Sequence, residues 1–299
     1  MSNLGWPFLY KGNIIFNKKV IMKPLVADIT TTPSNDISEV DLQPAAKLFD
    51  LPTPTPTLPQ YEILAYCSKN YQDALEFVLD SWTSIPSVSK VNLYTDWDYI
   101  SKNSKVEVNH FFFDVSYSWI EGTGRRLDVI RDYSNLNKGK SKNVLFLDID
   151  CYIAKDVGEI FNSDFDIAIS RLGNKESYTQ STATAGLWFC KLSPGYFNFI
   201  ADWFNTANDF KNKKIGLKDN KVSYVQYSFT DVARRNTKRY RVLPIDEYIY
   251  NSEHSDLDAW YKLIRKHHPK ILHFKGRRFR DNEIIKKVFN LMRIPYDRG

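Results

Sequence analysis

The stretch that most constrains the fold is 143–152, NVLFLDIDCY, in which an apolar run leads directly into two carboxylates, Asp148 and Asp150. An apolar run of this length with polar residues on either side is typical of a buried strand in a parallel sheet. In open α/β sheets, ligands bind just beyond the carboxyl ends of such strands. We therefore expect an α/β fold with these two acids at its ligand-binding edge.

The two acids also predict a cation site. Side chains at positions i and i+2 of a strand point to the same side, so Asp148 and Asp150 are expected to converge on one Mg²⁺ or Mn²⁺. Taken alone, the motif has two other interpretations. The acids could be surface residues at a strand end, or the DxD of a haloacid dehalogenase-like phosphatase. That family normally has Thr or Val after the second Asp, whereas Cys151 and Tyr152 follow here.

Alternating strand and helix patterns begin at Tyr61 and continue to the end of the chain. Besides the DxD strand, strands are predicted at 61–67, 90–96, 106–115, 165–171, 185–192 and 240–246. Helices are predicted at 73–82, 123–134, 195–207, 256–267 and 281–293. This order predicts a mostly parallel, Rossmann-like central sheet flanked by helices.

Residues 1–60 lack this pattern and end in LPTPTPTLPQ at 51–60. The alternating prolines favour an extended polyproline conformation. We therefore predict two parts: an N-terminal extension with a Pro/Thr-rich linker at 1–60, and a single α/β domain at 61–299.

Composition excludes several classes of protein. Of the 299 residues 43% are hydrophobic, which excludes a disordered chain. The three cysteines have no metal-type CxxC spacing and are interpreted as reduced core thiols. The absence of a signal peptide and of an 18-residue apolar stretch predicts a cytoplasmic protein without a membrane segment. No GxGxxG or GxxxxGK[ST] loop is present, which argues against Rossmann dehydrogenases and P-loop kinases.

The net charge of +6 is unevenly distributed. Basic runs lie at 211–214, 234–241, 265–270 and 275–280, all in the last third of the chain. Such runs are usually solvated faces. They can also bind a polyanionic acceptor, including nucleic acid, or the diphosphate of a nucleotide donor.

Five segments together carry a family resemblance. They are GRRLDVI (124–130), VLFLDIDCYI (144–153), TAGLWFCKLSP (184–194), TDVARR with YRVLP (230–244) and ILHFKGRR (271–278). In order and spacing this set resembles the GT-A fold nucleotide-sugar glycosyltransferases, most closely the retaining family 8 group. The resemblance covers about 61–280, so it implies a GT-A fold in which 61–299 is the catalytic domain.

The resemblance assigns a metal site. By analogy with the family, Asp150 binds the metal directly and Asp148 contacts both the metal and the donor ribose. His273, in HFKG, matches the third ligand of the family's C-terminal HFxG motif. A histidine after two apolar residues can equally be a core residue. If it is a ligand, its imidazole favours Mn²⁺ over Mg²⁺.

The resemblance also assigns Arg126 and Asp231 as catalytic residues and Gly186 as a donor-binding residue. Arg126 matches an arginine that contacts the donor sugar and the acids. Gly186 matches a glycine that lets the sugar approach the backbone. Asp231 falls where the family has an Asp that lines the sugar pocket, and could orient hydroxyls or stabilise an oxocarbenium-like centre. Its alternative interpretation is a helix N-cap.

Donor binding is implied at two further places. Tyr66 and Ser68 lie at the end of the first strand, where the family holds uridine, although a strand tyrosine is more often a core residue. The family's diphosphate-binding lysine is replaced by Phe279. The neighbouring cations can substitute for it, so the diphosphate is expected to contact Lys275, Gly276, Arg277 and Arg278.

The implied function is a metal-dependent hexosyl- or pentosyltransferase that moves a sugar from a UDP-linked donor to an acceptor hydroxyl, with retention. Inversion would require a general base, for which Asp231 and Glu247 are candidates. The acceptor could be a saccharide or, as in phage-type DNA-modifying enzymes, a hydroxymethylated DNA base. The alternative outside enzymes is a nucleic-acid-binding protein on a catalytically inactive transferase fold.

Overall fold

In a computed structural model of the protein, the structure describes residues 57–111, 119–170, 183–213, 223–235, 237–253, 256–274 and 282–294. The predicted extension, up to residue 56, and the basic run at 275–280 lie outside these ranges. The described residues belong to one compact unit, Thr55–Gly299. The domain boundary at residue 60 stays a prediction.

Nine strands and seven α-helices make up the described chain. The strands are β1 Tyr61–Cys67, β2 Val88–Thr95, β3 Val106–His110, β4 Asn143–Leu147, β5 Cys151–Ile153, β6 Ile167–Ser170, β7 Leu187–Lys191, β8 Val242–Ile245 and β9 Ile271–His273. The helices are α1 Gln72–Thr83, α2 Trp119–Leu136, α3 Pro194–Asn212, α4 Tyr224–Ala233, α5 Glu247–Tyr250, α6 Leu257–His267 and α7 Asn282–Met292.

Seven of these strands form the central sheet, in the order β3-β2-β1-β4-β7-β6-β8. All neighbouring pairs are parallel except those of β7, which runs antiparallel to both β4 and β6. Strands β5 and β9 pair antiparallel in a separate two-stranded sheet. The prediction of an α/β fold with a mostly parallel central sheet is confirmed.

Helices cover both faces of the sheet because successive strand residues point to opposite sides. In β4, Leu145 and Leu147 pack in the core that contains α1, α6 and α7, while Phe146 packs in the core that contains α2, α3 and α4. The predicted apolar stripe of α1 is buried: Ala74, Leu75, Val78, Leu79 and Trp82. The three cysteines are free and buried, which confirms their interpretation as core thiols.

Helix α4 and the β5–β9 sheet are elements that the sequence patterns did not predict. The helix begins after Ser223, whose side chain accepts a hydrogen bond from the backbone N–H of Gln226. Asp231 lies near its carboxyl end, so the interpretation of Asp231 as a helix N-cap is wrong. In the described part of the chain, no helix combines the length and apolarity needed to span a bilayer.

Candidate active site

Asp148 follows directly on β4 and is held from two sides. Its backbone N–H donates to the carbonyl of Gly186, at 2.7 Å, just before β7 begins. Its Oδ2 lies 3.0 Å from Nη2 of Arg126 on α2. The structure thus brings together three residues that the sequence singled out, at the carboxyl edge of the parallel strands.

Gly186 is in contact with the Asp148 carboxylate. A Cβ added at Gly186 would lie 2.6 Å from Cγ of Asp148 and closer still to Oδ2. Real Cβ atoms essentially never approach a neighbour this closely, so a side chain here would displace the carboxylate. Glycine at this position therefore leaves room for the acid itself, and its role in letting a sugar approach the backbone stays a prediction.

The Asp150 carboxylate contacts the small sheet. The strand ends at Leu147 and residues 149–150 form a turn, so the expectation that both acids lie on one strand is wrong. The Asp150 carbonyl accepts a hydrogen bond from the N–H of Phe274, at 2.8 Å. Its Oδ1 lies 3.2 Å from Nε2 of His273. The turn therefore aims the second acid at the last residue of β9.

One group of side chains among the described residues can hold a metal ion: Asp150, Cys151 and His273, whose ligand atoms lie within 4.8 Å of one another. Cys151 and His273 are directly opposed in the β5–β9 pairing. Burial, followed by the charges of Asp150 and Asp148, raises the pKa of the Cys151 thiol well above its ordinary value. A protonated thiol is a poor ligand for a hard cation. The donors that remain are a carboxylate oxygen and an imidazole nitrogen, which suit Mn²⁺.

Two contacts hold β5 in place from the core side. The indole Nε1 of Trp82 donates to the carbonyl of Cys151, at 2.9 Å. The N–H of Ile153 donates to Oγ of Ser81, at 3.2 Å. The donor Trp82 and the acceptor Ser81 both lie in the last turn of α1. The strand that follows the acid-bearing turn is therefore attached to this helix.

His273 is 3% exposed and lies among acids. Burial alone would lower its pKa, but the carboxylates of Asp150, Asp148 and Glu253 outweigh it and raise the pKa above the ordinary value. Its Nδ1 lies 2.8 Å from Oδ1 of Asn251. Sequence analysis missed Asn251 because it belongs to no motif and its role depends entirely on a contact made in the folded chain.

The end of β1 is joined to the end of β2 through Asp96. Its Oδ2 accepts from the Tyr66 hydroxyl at 3.3 Å, and its Oδ1 from the N–H of Lys69 at 2.8 Å. Ser68 precedes a short 3₁₀ turn and accepts from the N–H of Tyr71. Tyr66 and Ser68 are both half-buried, at the same edge of the sheet as the acids. Their predicted contact with uridine stays a prediction.

Asp231 has a different environment. Its Oδ2 accepts from Nη2 of Arg235, at 2.7 Å, one turn further along the chain, and Arg235 also donates to Thr206 of α3. At the amino end of the same helix, the Tyr224 hydroxyl packs against Gly124 of α2. Asp231 is seven residues further along the chain, and its role in the sugar pocket stays a prediction.

Most cations of the run at 234–241 are paired with acids. Arg235 contacts Asp231, and Arg239 contacts Asp202. Arg241 contacts both Asp164 and Asp166. In the run at 265–270, Lys270 pairs with Glu159 and Arg265 lies over the ring of Tyr261. These two runs therefore form local ion pairs and ring contacts on the surface. Lys275, Gly276, Arg277 and Arg278 lie outside the described residues.

Comparison with known proteins gives structural matches only. No protein-family model and no curated protein matches the sequence. The glycosyltransferase GlyE of Streptococcus pneumoniae TIGR4 is 13% identical with a TM-score of 0.50, covering 81% of this chain. The chain spans slightly less than two thirds, 66%, of GlyE.

Two further solved structures lie at a TM-score of 0.45 and 13% identity. The galactosyltransferase LgtC, in complex with donor and acceptor sugar analogues, covers 78% of this chain and is itself covered to 97%. A glycosyltransferase involved in glycosylation of the major capsid of PBCV-1 covers 78% and is covered to 99%. At such identities a likeness shows the fold alone, and of these three structures GlyE is the one with a TM-score of 0.50. The chain has the α/β fold of the GT-A glycosyltransferases.

Proposed function

We propose that this protein is a metal-dependent glycosyltransferase that moves a sugar from a nucleoside diphosphate donor, UDP-linked, to an acceptor hydroxyl with retention of configuration. One observation carries the proposal. Asp150 and His273, which are far apart in sequence, meet with 3.2 Å between Oδ1 and Nε2, beside the Arg126–Asp148 ion pair. A carboxylate and an imidazole next to an arginine at the ligand edge suit a cation and a diphosphate together.

In this proposal, Asp150 and His273 hold the divalent cation, Mn²⁺ or Mg²⁺, and Asp148 lies beside them. A cation there supplies electrostatic stabilisation to a diphosphate leaving group without any proton transfer. Arg126 is 27% exposed at its side chain, so it can hold Asp148 and still present its guanidinium to the donor. Tyr66 and Ser68 bind the nucleoside end of the donor.

The diphosphate is proposed to contact the basic run that follows Phe274. This run begins two residues after His273 and contains Lys275, Gly276, Arg277 and Arg278. A guanidinium binds phosphate through two parallel hydrogen bonds, so Arg277 and Arg278 are the stronger candidates to replace the family's lysine.

For the acceptor, we propose a saccharide hydroxyl. The contacts of Arg235, Arg239 and Arg241 with acids remove much of the charge that would support binding to a phosphate backbone. A hydroxymethylated DNA base is the alternative acceptor, and it is tested by DNA binding and by sugar transfer to DNA. Duplex DNA binding that weakens steeply with salt, together with sugar transfer to hydroxymethylated DNA, would replace the saccharide with nucleic acid as acceptor.

The decisive experiment measures UDP released from a panel of UDP-hexoses and UDP-pentoses, with Mn²⁺ and with a chelator. We expect release only with the metal, and a loss of at least about 100-fold in Asp150→Ala, because the cation and its ligand are removed together. The Asp148→Asn variant should bind Mn²⁺ but lose turnover. Metal-independent release, or an undiminished rate in Asp150→Ala, would refute the proposal.

The phosphatase alternative is tested by a second assay, which measures release of inorganic phosphate in place of UDP. A haloacid dehalogenase-like enzyme would use the first acid, Asp148, as nucleophile and release inorganic phosphate from phosphate monoesters. Here Oδ2 of Asp148 is held by Arg126, and the carboxylate is confined by Gly186. We expect no phosphate release from p-nitrophenyl phosphate under conditions in which UDP is released. The opposite result would favour the phosphatase. The inactive-fold alternative predicts neither product.

A further inference from the structure

Asn251 lies at the centre of a fully buried polar cluster behind the candidate cation site. Its side chain is 1% exposed, and its Nδ2 donates to Oγ of Ser170 at 3.1 Å and to Oγ1 of Thr184 at 3.0 Å. Its Oδ1 faces Nδ1 of His273 at 2.8 Å. Ser170 and Thr184 are buried as well. No motif or family resemblance pointed to this residue.

The cluster determines which nitrogen of His273 carries a proton. A side-chain amide has two N–H donors, and both are used by the two hydroxyls. The atom left facing the imidazole is the amide oxygen, which can only accept. With the amide in this orientation, Nδ1 of His273 is the donor of this hydrogen bond. The other nitrogen, Nε2, is the one that lies 3.2 Å from the Asp150 carboxylate.

We propose that Asn251 is a positioning residue that keeps a proton on Nδ1 of His273 and so leaves the Nε2 lone pair for a divalent cation shared with Asp150. This inference rests on the proposed function, since it concerns the same cation. An imidazole can ligate a metal through only one nitrogen at a time within one site, and a hydrogen bond to the other nitrogen fixes both tautomer and ring orientation.

The cluster also joins four separate parts of the fold. Ser170 is the last residue of β6, Thr184 precedes β7, Asn251 follows α5, and His273 ends β9. A second set of contacts runs along the backbone, because the N–H of His273 donates to the carbonyl of Ser252 at 2.8 Å. His273 is thus held by two consecutive residues: Asn251 contacts its ring and Ser252 contacts its main chain. Its position relative to the central sheet depends on the amide of Asn251.

The test compares Mn²⁺ affinity in two substitutions of similar size, measured by calorimetry. Asn251→Leu removes the acceptor, and we expect affinity to fall about 10- to 100-fold, as is typical when a partner of a ligating histidine is lost. Asn251→Asp keeps an acceptor oxygen, while the hydroxyls of Ser170 and Thr184 can turn to donate. Because the added carboxylate charge also favours a cation, its affinity should fall no more than a few-fold below that of the wild type.

A matched control separates positioning from general destabilisation. Asn137 is also a buried asparagine, 7% exposed, whose Nδ2 donates to the carbonyl of Tyr133 at 2.9 Å. Asn137→Leu should lower the thermal midpoint without changing Mn²⁺ affinity. If Asn251→Leu behaves like Asn137→Leu, or if Asn251→Asp loses as much affinity as Asn251→Leu, the inference is overturned.

A second measurement needs no metal, so it distinguishes failure of this inference from failure of the proposed function. In ¹⁵N-labelled wild-type protein, Nδ1 of His273 should keep a slowly exchanging proton at every pH at which the protein is folded. In Asn251→Leu this proton should exchange rapidly. An Nδ1 that is unprotonated in the neutral imidazole of the wild type would overturn the inference. A protected Nδ1 proton in a protein that does not bind Mn²⁺ would instead overturn the metal part of the proposed function.

Discussion

At the scale of single residues, one methyl group at Gly186 is expected to disable the first acid. In Gly186→Ala, the new Cβ would overlap the Asp148 carboxylate, which must then leave Arg126. Because a displacement of about 1 Å can cost about 100-fold in rate, we expect at least that loss in UDP release. The overlap should also cost about 1–3 kcal/mol of unfolding free energy.

Gly195 provides the matched control for this prediction. A Cβ there would overlap the carboxylate of Asp166, away from the site and just before β6. Gly195→Ala should therefore lower the denaturation midpoint to a similar extent while UDP release per folded molecule is kept. Equal losses of turnover in both variants would mean that Gly186→Ala acts through stability alone.

Cys151 is expected to contribute nothing to the affinity for a hard cation. Its thiol belongs to the geometric group with Asp150 and His273, but burial keeps its pKa high. Cys151→Val preserves volume and apolarity, so calorimetry should give an Mn²⁺ affinity within about twofold of the wild type. A tenfold loss, accompanied by a thiolate-to-cobalt absorption band in the Co²⁺-loaded wild type, would make the thiol a ligand after all.

The role of a residue could be predicted from the sequence where the residue belongs to a motif. It could not be predicted where the role depends only on a contact made in the folded chain. The DxD acids, Arg126 and His273 stand next to recognisable segments, and the structure brings them to one edge of the sheet. That the two acids lie beyond the strand was not predictable, because the apolar pattern does not show that the strand ends at Leu147. Asn251 was invisible for the same kind of reason: an asparagine acquires its role from the groups packed around it.

At the scale of elements, the position of Asp231 on α4 leads to a testable contrast. The sequence predicts a role in the sugar pocket. Its ion pair with Arg235 points instead to helix stability, and an exposed i,i+4 pair is worth about 0.3–0.5 kcal/mol. We expect Asp231→Asn and Arg235→Gln to lower the unfolding free energy by similar small amounts, with UDP release unchanged. A selective loss of turnover in Asp231→Asn would support the catalytic prediction.

The elements that sequence patterns missed share a cause. Helix α4, YVQYSFTDVA, is rich in aromatic and β-branched residues, which have low helix propensity, and eight of its ten residues are buried. A helix buried on nearly every side shows no amphipathic period. Strands β5 and β9 have three residues each, too few for an alternating pattern to register. In both cases packing against the rest of the chain decides the structure.

At the scale of the whole molecule, the acid stability of the fold should depend on Glu62 at the opposite edge of the sheet. Its carboxylate accepts from Lys142, Tyr133 and Asn92. Burial raises the pKa of Glu62, but these hydrogen bonds outweigh it and hold the pKa below 4.5. The native state therefore favours the ionised form. The resulting stability is present above pH 4.5 and is lost as the pH falls through the lowered pKa.

The variant Glu62→Gln tests the predicted direction of this pH dependence of stability. At pH 7 we expect the variant to lose about 1–3 kcal/mol of unfolding free energy, because the partly buried Lys142 loses the carboxylate that neutralises it. The difference from the wild type should shrink as the pH is lowered below 4.5, where the wild-type carboxylate itself becomes protonated. Urea denaturation at several pH values measures both curves. A difference that grows at low pH would contradict the assignment.

The alternation of strands and helices was enough to predict a mostly parallel sheet, but it could not give the direction of β7. Strand direction depends on the connection that precedes it, and the stretch between β6 and β7 carries no pattern that distinguishes a crossover from a return. The order β3-β2-β1-β4-β7-β6-β8 was likewise beyond the sequence. Both follow from pairing between segments distant along the chain.

The antiparallel direction of β7 also determines where the connection between β6 and β7 joins the sheet. Because β7 has five residues, a parallel β7 would carry Gly186 about 17 Å away, to the far edge of the sheet. Reversed, β7 starts where β6 ends, so the connection from 170 to 187 leaves and re-enters the sheet at the ligand edge. Because both of its ends join the sheet at this edge, the length of the connection can change without altering any strand pairing.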